Sequence, residues 1–247
     1  MLFPIGDDNR EIRITPFINY LFILINLFVF IFLQKFGSNE RFTYAYSTVP
    51  AEILTGNDYV SEDKIYIDEY SGERFQVTGL QSTPVFVYLT IFTSMFMHGS
   101  FGHLLGNLLF LWVFGDNIEN RLGHLRYLIF YLLTGVLASL SHVFVSLIFD
   151  SNLFIPSLGA SGAISGVLGG YILLYPRKRV TALLFYFVTA VPAVILIGLW
   201  FVFQLINGLG MLGGDTGGGV AYAAHIGGFI AGLVFVKLFD KGSIYHH

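Results

Sequence analysis

Four side chains could together hydrolyse a carbonyl compound. They are His103 and Asn107, the serine of Gly159-Ala160-Ser161-Gly162, and the histidine of Ala224-His225-Ile226-Gly227-Gly228. A serine hydroxyl becomes a nucleophile when an imidazole takes its proton. An Asn/His pair can donate hydrogen bonds to the oxyanion that develops on the attacked carbonyl. His103 and Asn107 are spaced i, i+4 and so share one helix face. Each of the four lies in a long uncharged run, where polar side chains are expensive and mark function by default.

Each feature also has a plainer reading. Gly159-Ala160-Ser161-Gly162 matches the G-x-S-x-G elbow of soluble hydrolases only loosely, its last glycine coming one place early. Gly162, Gly166 and Gly170 form a ladder typical of close helix packing in lipid, and Gly228-x-x-x-Gly232 repeats it near His225. The ladders suggest two helices packed backbone to backbone, which is the approach a direct serine–imidazole hydrogen bond requires. Ser161 follows Pro156-Ser157-Leu158 and would start a helix, where free amides and the positive dipole end favour an anion. His98, His103 and His225 could instead be metal ligands. The uncharged runs that carry them contain no Glu or Asp to complete a zinc site, and H-E-x-x-H is absent, so no metal and no cofactor is expected. His142 reads as structural, and His124, His246 and His247 as solvated.

The elements that must position these groups are membrane spans. Mean hydropathy is +0.70, with 55% hydrophobic and 12% charged residues, against about 25% charged in soluble domains. A net charge of −3 and no basic patch give no case for nucleic acid. The absence of cysteine removes disulfides and thiolate chemistry. A span needs roughly 20 apolar residues. Phe17 to Gln34 supplies the first and starts just after Pro16; without a cleavage signature behind Arg10 and Arg13 it reads as retained, not as a signal peptide. Residues 35–83 form the one long polar stretch. Pro84 to Gly115 is uncharged for 32 residues, too long for one crossing. It divides into an interfacial segment, broken near His98-Gly99-Ser100, and a second span over about 101–117. Tyr127 to Phe149, Leu158 to Tyr175, Val180 to Ile206 and Val220 to Val236 complete six.

Six spans put both termini on one side. Arg10, Arg13, Arg121, Arg126, Arg177, Lys178, Arg179, Lys237 and Lys241 fall on that side, against Lys35, Arg41, Lys64 and Arg74 opposite. That bias predicts cytoplasmic termini. The expected organisation is a cytoplasmic segment 1–16, a membrane domain 17–240 that includes the extracytoplasmic loop 35–83 and the interfacial segment 84–100, and a tail 241–247.

His98-Gly99-Ser100-Phe101-Gly102-His103-Leu104-Leu105-Gly106-Asn107, Gly159-Ala160-Ser161-Gly162-Ala163 and Ala224-His225-Ile226-Gly227-Gly228, in that order, resemble the rhomboid intramembrane serine proteases. Glu119-Asn120-Arg121 resembles that family's acidic-x-Arg motif, which would brace the cytoplasmic end. The resemblance covers about residues 14–240. It implies an all-α membrane protein, a six-transmembrane helical bundle of rhomboid type with both termini cytoplasmic. It also implies an endopeptidase with a Ser161–His225 dyad and no aspartate, acting on transmembrane protein substrates in the lipid bilayer. His103, Asn107 and the Ser161 amide would form the oxyanion hole, with Gly159, Gly162, Ser165, Gly228, Glu119 and Arg121 in support. Span four would be short, so that the serine meets a water-filled cavity opening to the extracytoplasmic side. A prokaryotic plasma (inner) membrane is the expected location.

Two positions depart from the family. A Trp-Arg pair common before the span-two motif reads Leu89-Thr90 here, and Ser165 stands where some members place an aromatic against the histidine. With no acid to orient it, His225 is expected to be held by packing and by Ser165. A catalytically dead relative that binds membrane clients would be expected to lack Ser161 or His225. A transporter would show inverted repeats and broken helices around ionisable residues, and neither is found.

Overall fold

Apolar helices dominate, and one of them is enclosed by the rest. The computed structural model describes residues 2–67, 72, 74–149, 153–212 and 221–240. The expected tail 241–247, with His246 and His247, lies outside the described residues, as does part of the 35–83 loop. Helix α1 (Phe17–Leu33) ends in a π-turn, and two short helices follow, α2 (Glu40–Ala45) and α3 (Pro50–Thr55). The segment α4 (Val87–Phe96) comes next. Helix α5 (Phe101–Phe110) runs through a π-turn at Leu111–Gly115 into α6 (Asp116–Leu122). Then come α7 (His124–Ile148), α8 (Ser161–Leu174), α9 (Ala193–Leu212) and α10 (Tyr222–Phe239). Among the described residues, three helices are long and apolar enough to cross a membrane: His124–Ile148, Ala193–Gly210 and Tyr222–Phe239. Phe17–Leu33 and Ser161–Leu174 are shorter apolar helices.

Helix α8 is buried without interruption from Gly162 to Tyr171. Its 14 residues rise about 21 Å, short of the roughly 30 Å of a hydrocarbon core. Around it Leu111, Phe114, Phe130, Tyr131 and Phe229 form the main core with its own Val167. A side chain at Gly228 would run into the Gly162 carbonyl, and one at Gly232 into that of Gly166. The two glycine ladders therefore do join α8 and α10 backbone to backbone, as the sequence suggested.

The chain is mostly helical but not all-α, and the expected fifth span starts too early. Residues Leu2–Asp7 form β1, Arg179–Leu184 β4 and Phe187–Pro192 β5, an antiparallel sheet in the order β1-β4-β5. Leu2 pairs with Leu184, Asp7 with Val180, and Arg179 with Pro192. In β4, Val180 and Ala182 are fully buried while Arg179 is exposed and Thr181 and Leu183 are half-buried, the period-2 burial of a strand. Hydropathy sees only an unbroken apolar run, and cannot tell an apolar strand from an apolar helix. The β-branched residues Val180, Thr181, Val188, Thr189 and Val191, with Pro192 just ahead of the helix, tip this run to a hairpin. A smaller hairpin, β2 (Lys64–Ile67) with β3 (Arg74–Val77), sits in the long loop.

The first strand is latched to the helices. Asp7 accepts hydrogen bonds from the Tyr171 hydroxyl (2.5 Å) and the Asn117 amide (2.8 Å). Burial pushes its carboxyl above the ordinary range.

The long loop is tied to the segment that leads into α8. Thr48 and Ser157 exchange backbone hydrogen bonds (3.0 and 2.7 Å), and the Ala51 amide donates to the Leu153 carbonyl at 2.9 Å. Thr48 Oγ1 donates to the Thr90 carbonyl (3.0 Å), and Thr93 Oγ1 to that of Tyr46 (2.7 Å). Small hydroxyls thus anchor the loop where the Trp-Arg pair is missing.

Candidate active site

Ser161 is the first residue of α8, and the turn before it is set by Gly159. That glycine has φ +117°, and its amide donates to the Ser94 carbonyl at 2.8 Å. A Cβ there would come within 2.8 Å of His103 Cε1 and Nε2. Both the left-handed backbone and the His103 ring therefore demand glycine. The same Cβ position would lie 3.6 Å from Ser161 Oγ, so His103 stands beside the serine.

From α10, His225 reaches across the glycine-lined contact, and its Nε2 lies 2.7 Å from Ser161 Oγ. The ring's other nitrogen, Nδ1, lies 2.8 Å from Gln204 Oε1 on α9. Amide oxygen accepts only, so Nδ1 carries the proton and Nε2 offers its lone pair to the serine hydroxyl. Trp200, one turn before Gln204, packs against the same ring at 6.1 Å between centroids, and Tyr222 meets it edge-on at 6.4 Å.

Ser165 does not hold the imidazole. Its hydroxyl donates to the Ser161 carbonyl at 2.6 Å, which satisfies the helix and not the histidine. Gln204 and Trp200, both on α9, take that place. A signal for them existed. Ala193, Leu196, Ile197, Trp200 and Gln204 recur at helical spacing and form the inward face of α9. Gln204 is a lone polar residue on that face, 5% exposed.

On α5, the Ser100 hydroxyl caps the helix by accepting from the His103 amide (3.1 Å). One turn beyond His103, Asn107 is buried, and its Nδ2 has no protein partner. A buried amide donor left open is costly in a structural site and useful in an anion-binding one. His98 is fully buried and packs its ring against His103 at 5.1 Å. Its backbone amide and carbonyl are bound by the side chain of Gln34, the residue just after α1 (3.0 and 2.8 Å). Among the described residues, no group of three or more metal-capable side chains comes together. A cavity of about 20 Å³ lies against Ser161, lined also by Met95, Gly135, Ser139, Leu158 and Ala224, room for about one methyl group or water.

The acidic-x-Arg motif works at the far end of the bundle. Fully buried Glu119 accepts from the amides of Ile18 (2.9 Å) and Asn19 (2.7 Å), capping the start of α1 from another helix. His124, exposed as expected, also donates to it at 2.5 Å. Asn120 accepts from the Arg13 and Ile14 amides. Arg121 forms a bidentate pair with Asp240 (2.7 and 2.9 Å) and so fastens the end of α10.

The sequence also matches known proteins. A sequence profile described as "Rhomboid domain" matches residues 86–241. The chain is 34% identical over 157 residues to "Rhomboid protein 1, mitochondrial" of Saccharomyces cerevisiae, covering 63% of this chain and 43% of that protein. It is 36% identical over 138 residues to "Rhomboid protease GluP" of Bacillus subtilis, covering 54% and 25%. It is 29% identical over 180 residues to "Rhomboid-like protein 11, chloroplastic" of Arabidopsis thaliana, covering 68% and 59%. The chain thus spans less than two thirds of each relative. Their names point to mitochondria and chloroplasts as well as a bacterium, so a prokaryotic plasma membrane is not supported as the location. The profile covers more than half of the chain, including the segments that hold His103, Asn107, Ser161, Gln204 and His225, and the chain belongs to the rhomboid family of integral membrane proteins.

Proposed function

We propose that this protein is an intramembrane serine endopeptidase that cuts transmembrane or membrane-proximal segments of other proteins. The observation that carries this reading is the 2.7 Å contact of Ser161 Oγ with His225 Nε2, made at the start of a short enclosed helix. The printed name of the Bacillus relative, a protease, supports it. As Ser161 Oγ bonds to the scissile carbonyl carbon, His225 Nε2 takes its proton. The negative charge on the carbonyl oxygen is held by Asn107, His103 and the Ser161 amide. Collapse breaks the C–N bond, and Nε2 returns the proton to the leaving amine. Water then attacks the acyl-serine by the same route.

Six helical rods would cross the bilayer: α1, α5 with α6, α7, α8, α9 and α10. Termini in the cytoplasm follow from the placement of arginine and lysine. Ser161 would then open toward the extracytoplasmic side, below the 35–83 loop. The membrane domain is residues 17–240, with β1 added to its cytoplasmic end from the segment before it.

The test is a fluorophosphonate probe together with cleavage of a reconstituted transmembrane substrate. Wild type should be labelled and should cleave. Ser161→Ala and His225→Ala should each lose nearly all activity, and the double variant should lose little more. Cleavage by Ser161→Ala at a rate close to wild type would end the serine-protease reading.

A further inference from the structure

We infer that Gln204 is a positioning residue for the proposed reaction: its side-chain oxygen holds His225 in the tautomer and orientation that serve Ser161. The inference rests on the protease reading above and goes beyond the two-residue dyad. A neutral imidazole exists in two tautomers, and only the one protonated at Nδ1 can accept a proton at Nε2. Packing alone does not choose between them, since they have the same shape. Gln204 Oε1, 2.8 Å from Nδ1, makes that choice. In soluble serine enzymes an acidic side chain does this work, and holding the wrong tautomer there costs about 10⁴ in rate.

An amide is the form of that device suited to this place. Gln204 is 5% exposed on a helix whose 20 residues carry no charge, where an ionised carboxylate would be costly. Once Nε2 gains the serine proton, the Nδ1–H bond to the amide oxygen becomes charge-assisted and strengthens. The stabilisation therefore grows along the reaction path without a permanent charge. Gln204, Ser161 and His225 come from α9, α8 and α10 respectively, so the seating of α9 against the other two sets the ring. Trp200, on the same face one turn away, limits the ring's other freedom.

Gln204→Met keeps nearly the same volume and removes the acceptor, and Gln204→Glu keeps an acceptor at the same reach. Both are compared with wild type in proteoliposomes for kcat, KM, fluorophosphonate labelling rate and thermal midpoint. Histidine ¹⁵N spectra, with the His225 signal assigned from a His225→Gln sample, report the tautomer directly. Gln204→Met should lower kcat and labelling by roughly 10²-fold, with KM within about threefold and the thermal midpoint nearly unchanged. The His225 signal should shift from the Nδ1–H form in wild type to a mixture. Gln204→Glu should recover most of the rate. Wild-type labelling by Gln204→Met, or an unchanged tautomer, would overturn the inference; so would a loss that tracks the thermal midpoint and is not recovered by Glu. Folded wild type that neither labels nor cleaves would instead fail the protease reading, and this inference with it.

Discussion

At the residue scale, the site separates groups whose hydrogen bonds are complete from groups whose bonds are open. Ser161 and His225 satisfy each other, and Gln204 completes the histidine. Asn107 Nδ2 is buried and unpaired. A donor held open in the free protein and filled in the transition state contributes to rate more than to substrate binding. Asn107→Ala should therefore lower kcat by about 10–10³ and leave KM nearly unchanged. Steady-state kinetics on a transmembrane substrate checks this. An unaltered kcat would make Asn107 a packing residue. The residues of this site were legible in the sequence because each is a polar group stranded in an apolar run. Gln204 meets the same criterion, but only the turn of α9 against its neighbours shows that it faces inward.

At the scale of elements, the contact of α8 with α10 governs whether serine and imidazole can meet. Gly232 presses on the Gly166 carbonyl, two turns below the reacting pair. In contrast, a Cβ at Gly198 on α9 would meet nothing within 4 Å. Gly232→Leu should destabilise by at least about 3 kcal/mol, because backbone cannot move aside as a side chain can. It should also abolish labelling of Ser161. Gly198→Ala should be neutral or stabilise by about 0.5–1 kcal/mol, as expected for glycine in a helix interior. Thermal midpoints and probe labelling of the two variants make the comparison, and equal effects would refute the close-packing account. The ladders could be read in the sequence because small residues at a fixed period have one use in lipid. The β4–β5 hairpin could not, because an apolar strand buried on one face and an apolar span look alike by hydropathy.

At the scale of the whole molecule, the proposed activity makes the enclosure of α8 a limit on what substrate can reach the serine. A scissile bond within a helix is covered by its own hydrogen bonds. Exposing it in hydrocarbon leaves backbone groups unpaired at several kcal/mol each. Substrates should be cut near the extracytoplasmic end of a span that already carries Gly, Pro or polar residues. The cavity of about 20 Å³ beside Ser161 favours a small residue such as Ala at the cut. Replacing the helix breakers of a substrate span by Leu should slow cleavage at least about tenfold while binding persists, measured by gel assay and co-purification. Equal cleavage of a uniform polyleucine span would refute this account of substrate choice.

The sequence by itself determined the membrane setting, the order of the motifs and the pair proposed as nucleophile and base. Those rest on residue types a lipid environment tolerates only for cause, and on spacings within a single helix. Only the tertiary structure decided which partners those groups find. Gln204 lies 21 residues from His225, Glu119 lies 101 from Ile18, and Arg121 lies 119 from Asp240. Such pairings depend on how helices are turned and stacked. The sheet follows the same logic: β1 and β4 are each short and apolar, and neither reads as a strand until the other stands beside it to take up its backbone hydrogen bonds.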